Sequence, residues 1–329
     1  MESAEDVALL QSVAARPRPG RRRADRTLAI LSRKRSLYST SRLVQAARAR
    51  GHRALVLDTL RCNLVLEPAR ARMIFRGVEV RGIDMVIPRI GASITGYGLA
   101  VVNQFGMMGV PVLNTAAAIS RSRDKLRCLQ ILAGSGMDVP RTVMARDRAN
   151  LGHLVEEVGG LPAIVKLIRG TQGVGVMIAQ SEAELQGLLN TFSALDQDIV
   201  LQEFVAESKG RDIRALVVGD RVVGAMRRQA RKGEFRSNIH RGGRGRPVEL
   251  EPAWAKVAVK AAQVIGLEVA GVDMLESRDG PKVMEINSSP GFEGLERATG
   301  IDVAGAIVEH AVDFARRHRD RDVGGNVPF

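Results

Sequence analysis

Asp273, Glu285 and Asn287 lie in two apolar runs, Ala270-Gly-Val-Asp-Met-Leu-Glu276 and Lys282-Val-Met-Glu-Ile-Asn287, joined by a short polar stretch. Each run reads as a strand. Side chains alternate along a strand, so Glu285 and Asn287 share one face while Met284 and Ile286 turn to the core. A three-residue loop, Arg278-Asp279-Gly280, pairs Ser277 with Pro281 and thereby sets Asp273 opposite Glu285. Two carboxylates and an amide on one face make an oxygen site suited to Mg²⁺ or Mn²⁺ rather than zinc. Mg²⁺ is typically held by one or two carboxylates together with substrate phosphates. Acidic residues on a solvated strand face are ordinary. A carboxylate and an asparagine inside an apolar strand, followed at once by Ser288-Ser-Pro-Gly291, are less so.

A second candidate is Arg169-Gly-Thr-Gln-Gly-Val-Gly175, which follows the strand-like run Leu161–Ile168 and precedes another apolar run, Val174–Ala179. Gly170, Gly173 and Gly175 therefore lie between two strands, not between a strand and a helix as in Walker A or Rossmann loops. A glycine-rich β-turn can aim several backbone N–H groups at a phosphate, because glycine accepts unusual dihedrals and lets the backbone come close. Lys166, on the strand before the turn, is the charge that accompanies those amides. Turn statistics alone are equally satisfied by a simple tight turn.

Elements that could position these groups follow from the patterning. Thr27–Arg33, Arg53–Asp58, Asp84–Pro88 and Val110–Asn114 read as buried strands, with helical stretches near Ser41–Arg50 and at 97–108. Arg72–Arg76 and Val78–Val80 flank Gly77 as a small hairpin. Strands alternating with helices imply a doubly wound parallel α/β domain over 27–115. From 116 the texture changes: helices at 115–135, a strand–helix–strand block, many short strands, and a last helix from about Asp302 to Arg319. The expected divisions are 116–205, with the glycine turn, 206–320, with the carboxylate hairpin, and a tail at 321–329.

Charge and composition narrow the function classes. Cys62 and Cys128 are far apart and outside any CxxC pair, which excludes a disulfide framework or thiolate zinc site and fits a reducing, cytoplasmic setting. No apolar run approaches the ~18–20 residues needed to cross a bilayer. Residues 1–26 carry six arginines against four acids and no apolar stretch after them; this basic extension is expected to be disordered and outside the fold. The formal charge of +13 concentrates in residues 204–247, with twelve Lys or Arg against four acids. Such a field draws anionic partners. Aromatics make up only 3% of the chain, which argues against direct nucleic-acid binding, where basic residues are interleaved with stacking rings.

With glycine turn, lysines and carboxylate hairpin in this order, the chain resembles the ATP-grasp superfamily, in particular the RimK-type α-L-glutamate ligases. That family adds glutamate to the C-terminus of ribosomal protein S-six. The resemblance runs from about 27 to 315 and rests on several segments. They are Pro88-Arg-Ile-Gly91, Ser122-Arg-Asp-Lys-Leu126, Gly170-Thr-Gln-Gly-Val-Gly-Val176, Leu201-Gln-Glu-Phe204, Gly210-Arg-Asp-Ile-Arg214, Arg236-Ser-Asn-Ile-His-Arg-Gly-Gly243 and Met284-Glu-Ile-Asn-Ser-Ser-Pro-Gly291. Ser288 departs from the alanine more usual after the asparagine.

The resemblance implies an ATP-grasp fold behind a pre-ATP-grasp α/β domain, with ATP and two Mg²⁺ or Mn²⁺ ions as cofactors. Lys125 and Lys166 would contact phosphates, Glu203 and Phe204 line the adenine pocket, and Asp212 hold the ribose. Arg236, Ser237 and Asn238 belong to a nucleotide-side loop, while Asp273, Glu285 and Asn287 bind the metals. Arg214 and Arg228 are candidates for phosphate or acyl-phosphate contact, the alternative being a solvated basic face. Implied partners are L-glutamate, an acidic C-terminal tail of a ribosomal protein, and further copies of the chain in a tetramer. Rival acceptors are a lysine-biosynthesis carrier protein or a cofactor, and a rival class is a non-catalytic ribosome- or RNA-binding protein.

Overall fold

The computed structural model describes residues 2–14, 26–145, 151–167, 175–194, 199–231 and 244–322. Helix α1 (Glu2–Ala14) is followed by strand β1 (Thr27–Leu31), helix α2 (Tyr38–Ala49) and strand β2 (Arg53–Leu57). Strands β3 (Cys62–Glu67), β4 (Arg70–Phe75) and β5 (Val78–Glu79) make a small antiparallel sheet, after which β6 (Met85–Pro88) returns to β1. The parallel order is β2-β1-β6. Helix α3 (Thr95–Met107) follows. The strand expected at 110–114 reduces to a single parallel bridge between Val86 and Val112.

Alternation along β1 explains the layers. Leu28 and Ile30 face a core shared with α2, whereas Ala29 and Leu31 face one shared with α3 and the small antiparallel sheet.

The expected disorder of residues 1–26 is corrected over α1. Leu10 is fully buried in the second of these cores. The Asp6 carboxylate accepts from the Val56 N–H at 3.0 Å and pairs with Arg35. Strand β2 is an edge of the parallel sheet, so α1 covers backbone that would otherwise lie open. The arginine cluster that dominated the composition of this segment begins only after the helix; residues 15–25 lie outside the described residues.

Helices α4 (Ala116–Arg123) and α5 (Lys125–Gly134) lead to β7 (Thr142–Ala145), α6 (Leu151–Glu157), β8 (Ala163–Leu167), β9 (Val176–Ala179), α7 (Glu182–Ala194) and β10 (Ile199–Glu203). Their strands form an antiparallel sheet of order β7-β10-β8-β9. A third unit comprises β11 (Arg211–Val218), β12 (Arg221–Gln229), β13 (Arg244–Pro247), α8 (Pro252–Ile265), β14 (Val269–Ser277), β15 (Gly280–Asn287), α9 (Glu293–Thr299) and α10 (Val303–Asp322). Its antiparallel sheet runs β13-β12-β11-β14-β15. Pro252 opens α8 and Gly266, at φ +85°, closes it in the left-handed region that favours glycine.

One face of this five-stranded sheet packs on α5 and α8 through Ile213, Ala215, Val272, Met274, Val283 and Ile286. Helix α10 returns to the front of the molecule, where Ala304, Ile307 and Ala311 share a core with Leu28, Ile30 and α2. Among the described residues no helix is long and apolar enough to cross a membrane.

Candidate active site

The expected hairpin exists, with Asp273 opposite Glu285 and Gly271 opposite Asn287. The route to that register differs from expectation. The turn has two residues, since Ser277 pairs with Gly280 rather than with Pro281, and the register shifts at Asp273/Met274. This irregularity makes up the missing loop residue. It also puts Val283 in the core and leaves Met284 half-buried, against the expectation for Met284. A β-bulge inserts one residue and re-aims the side chains beyond it; no composition signal marks where it falls.

Arg214 is the cross-strand neighbour of Asp273 on its other side, so Arg214, Asp273 and Glu285 form a row across β11, β14 and β15. Arg214 donates from Nε and Nη2 to Oδ1 and Oδ2 of Asp273, each at 2.6 Å. Arg228 donates from Nη2 to Asp273 Oδ2 at 2.9 Å, and from Nε and Nη2 to Oδ1 and Oδ2 of Asp212 at 2.5 and 2.8 Å. Burial by itself raises the pKa of Asp273. Arg214 and Arg228 outweigh it and hold the carboxyl below its ordinary value. Arg228 is likewise disfavoured by burial, yet Asp273 and Asp212 raise its pKa, so it stays charged.

One alternative is thereby removed. Arg228 and Arg214 are not a solvated basic face, since their side chains are 3% and 19% exposed. Asp212, expected at the ribose, is buried, with both oxygens engaged by Arg228. A carboxylate that leaves water must be paired, and Arg228 is the partner that Asp212 has here.

The second wall of the cleft comes from the four-stranded sheet and α5. Lys166, on β8, donates from Nζ to Gln202 Oε1 at 2.5 Å, and Gln202 Nε2 donates to Thr142 Oγ1 at 2.9 Å. Burial pushes the Lys166 ammonium down to about 8, with Glu285 pulling upward and Lys125 adding to the fall. Lys166 thus feels the charges of Glu285 and Lys125 although the three come from separate elements. Gln202 is buried between Lys166 and Thr142, and its residue type gives no sequence signal for that place.

Strand β8 pairs with β9, and the Leu167 N–H donates to the Gly175 carbonyl at 2.9 Å, closing the base of the glycine turn. Gly175 sits at φ +77°, and a Cβ there would come within 2.8 Å of Leu167. Gly170 and Gly173 lie outside the described residues, as do Arg236, Ser237 and Asn238. Glu203 ends β10, where it accepts from the Arg141 N–H at 2.9 Å and from Lys282 Nζ at 3.2 Å. It ties the two sheets together; Phe204 beside it is half-buried.

A divalent cation is tested by the donor set. No group of three or more His, Cys, Asp or Glu occurs among the described residues, so two carboxylates and an amide are what the hairpin offers. An ionised carboxylate presents about four lone-pair positions; arginines use three on Asp273, leaving one. Glu285 forms no hydrogen bond or ion pair among the described residues, and Asn287 Nδ2 is buried without a partner. Oxygens still available on Asp273 and Glu285, beside an uncommitted amide, fit a hard cation.

Asn114 is a further residue that gave no sequence signal. Its Nδ2 donates to the carbonyls of Val269 and Ser288 at 2.8 and 2.9 Å, and its Oδ1 accepts from the N–H groups of Glu268 and Val269. This side chain clamps the front domain to both strands of the hairpin. Cys62 and Cys128 are free and buried, and burial pushes both thiols up to about 12, which makes them inert near neutral pH.

Two antiparallel sheets, one carrying Lys166 and the other the Asp273–Glu285 pair, behind a parallel α/β domain, make the architecture of an ATP-grasp ligase. Comparison with known proteins agrees. Residues 122–311 match the RimK-like ATP-grasp domain and residues 27–119 the RimK PreATP-grasp domain. A probable alpha-L-glutamate ligase of Thioalkalivibrio sulfidiphilus is 52% identical over 297 residues, 90% of this chain and 99% of that protein. Its counterpart in Nitrosococcus oceani is 50% identical over the same shares. Among solved structures, the ATP-grasp ligase PsnB bound to its minimal precursor has a TM-score of 0.70 at 22% identity, covering 88% of this chain and 100% of that one. D-alanine–D-alanine ligase of Bacillus anthracis has a TM-score of 0.65 at 18% identity, covering 91% and 100%. The chain belongs to the RimK family of ATP-grasp enzymes and is an ATP-dependent ligase.

Proposed function

We propose that the protein joins the amine of L-glutamate to the C-terminal carboxylate of an acidic protein tail, with ribosomal protein S-six the first acceptor to test. The observation that carries this reading is the row of Arg214, Asp273 and Glu285 across β11, β14 and β15, with oxygens left available on the two carboxylates beside the Asn287 amide. Relatives about half identical over nearly their whole length carry the name "Probable alpha-L-glutamate ligase".

A carboxylate is a poor electrophile, so amide formation requires activation. An acceptor oxygen attacks the γ-phosphorus of ATP, and the bond to the bridging oxygen breaks, releasing ADP and giving an acyl phosphate. The glutamate nitrogen then attacks the acyl carbon, the bond to the phosphate oxygen breaks, and the amine gives up a proton as phosphate leaves. Phosphoryl transfer asks a protein mainly for positioning and charge neutralisation. Lys125 and Lys166 supply fixed positive charge, and the amides around Gly170, Gly173 and Gly175 hold phosphate oxygens. Glu203 and Phe204 border the adenine. Asp273, Glu285 and Asn287 are the groups that would hold Mg²⁺ or Mn²⁺, two ions by family resemblance, which neutralise phosphate charge when bound. Arg214 and Arg228 position Asp273.

Incubation with ATP, Mg²⁺, glutamate and a Glu-terminated peptide should give mass increments of one or more glutamyl residues. ADP formation without such increments would reassign the acceptor, to a carrier protein or a cofactor. No glutamate-dependent ADP with any acceptor overturns the reading.

A further inference from the structure

Arg89 and Arg123 have no part in the chemistry above, yet they meet beside the loop that leaves β15. Arg89 follows β6 and donates from Nη2 to the Pro290 carbonyl at 2.6 Å, its guanidinium 5.7 Å from the centroid of the Phe292 ring. Arg123 ends α4 and donates to the carbonyl of Ile90, the residue after Arg89. Each thus uses a backbone carbonyl as its partner, and among the described residues neither forms an ion pair. Burial pushes Arg89 down to about 10, and the charge of Arg123 pushes the same way. Glu285 is the acid that acts on Arg123.

Two like charges held together in part-buried surroundings are unfavourable unless an anion joins them. The surroundings also hold donors without partners: Arg123 Nε, Asn287 Nδ2, Ser288 Oγ and Ser289 Oγ are buried and make no hydrogen bond. The cavity shared by Arg89 and Ser288, about 10 Å³, is at most water-sized and does not itself hold a carboxylate.

We propose that Arg89 and Arg123 form a carboxylate subsite on the front-domain wall of the cleft, and that it binds a carboxylate of the amino-acid substrate. This rests on the glutamate-ligase reading. The amino acid reacts through its amine and keeps both carboxylates throughout, so it needs a standing cationic partner. The acceptor's terminal carboxylate loses its charge on activation and must face the phosphates instead. A planar guanidinium fork matches a carboxylate in geometry as well as charge.

Calorimetry can test this on full-length protein loaded with Mg²⁺ and a non-hydrolysable ATP analogue, titrating L-glutamate and, separately, a Glu-terminated peptide. Arg89→Gln and Arg123→Gln should each weaken glutamate by about ten-fold or more, leaving nucleotide and peptide affinities unchanged. In turnover, KM for glutamate should rise far more than kcat falls. Arg89→Lys and Arg123→Lys keep the charge without the fork and should fall between. Lys variants that bind glutamate like the unaltered protein count against the proposal, an arm that holds even if a Gln variant does not fold. Weakened peptide with unchanged glutamate would move the subsite to the acceptor and overturn the assignment. Arginine-dependent glutamate binding without any glutamylated peptide would keep the subsite and remove the acidic-tail acceptor. Absence of glutamate binding in the unaltered protein removes the subsite.

Discussion

Arg214 and Asp273 face each other on paired strands, and the guanidinium meets both carboxylate oxygens at 2.6 Å. Arg228 adds a third contact from the next strand and carries Asp212 on its other side. Two acids and two bases thus neutralise one another on the face that bears Glu285. The negative charge left without an arginine partner on this face is that of Glu285, while the arginines orient Asp273 and hold its carboxyl below the ordinary value.

That difference separates two carboxylate variants. Asp273→Asn should abolish ligation and also destabilise the fold by about 3–5 kcal/mol, because it leaves buried arginines uncompensated. Glu285→Gln should abolish ligation with little change in stability. Denaturant unfolding beside an ADP-release assay reads both. The Asp273 pKa is depressed in the fold, so its stabilisation is present above the ordinary value of 3.8 and is lost as pH falls through the lower folded value. Asp273→Asn should therefore flatten the acid limb of the stability profile.

Lys166 gives opposite signs for activity and stability. With its ammonium near 8 against an ordinary 10.5, the free enzyme loses that cation as pH rises through about 8, and KM for ATP should climb there. Across the same window the unfolded chain still holds the proton, so the Lys166 contribution to stability rises with pH. A KM that climbs while Lys166→Met removes the inflection is the expected result; an inflection that survives the substitution would assign it elsewhere.

Asn114 should behave as a purely structural clamp. Asn114→Ala leaves two backbone donors and two carbonyls without their partner in a buried setting, a loss on the order of 3 kcal/mol. Chemical denaturation should show it. Below the melting transition, KM for ATP should change little, because the residue is fixed to the hairpin backbone and not to the cleft.

Gly175→Ala places a Cβ within 2.8 Å of Leu167 at a positive φ. Strain of about 1–2 kcal/mol is expected, released by moving the base of the glycine turn. Nucleotide affinity should fall more than global stability does. Equal affinity for ATP in this variant would separate the turn from nucleotide binding.

The unequal legibility of these features has local causes. Glu285 and Asn287 were readable as a shared face because a strand repeats every two residues, a property of neighbouring backbone alone. The opposition of Asp273 and Glu285 was also anticipated, although through a three-residue loop that does not exist; a shorter turn and a bulge restore the pairing. Helix α1 was missed because a following run of arginines outweighed Leu10 and Asp6, whose burial depends on the edge of β2. Arg228 reads in the sequence as a phosphate contact or a solvated basic face, and Asp212 as a ribose ligand, because nothing in their spacing reports that β11 and β12 seal them together.

The amino-acid sequence by itself determined the periodic elements, the glycine at the base of the turn, and the polar face of the hairpin. All of these are set by dihedral preference and alternation over a few residues. Tertiary structure decided which charges are spent on one another and which remain available, setting Arg214 and Arg228 on Asp273, Arg123 on the carbonyl beside Arg89, and Lys166 on Gln202. Those relations join residues far apart in the chain, and they are fixed by which sheets and helices share a core, a many-body outcome that no short window of sequence contains.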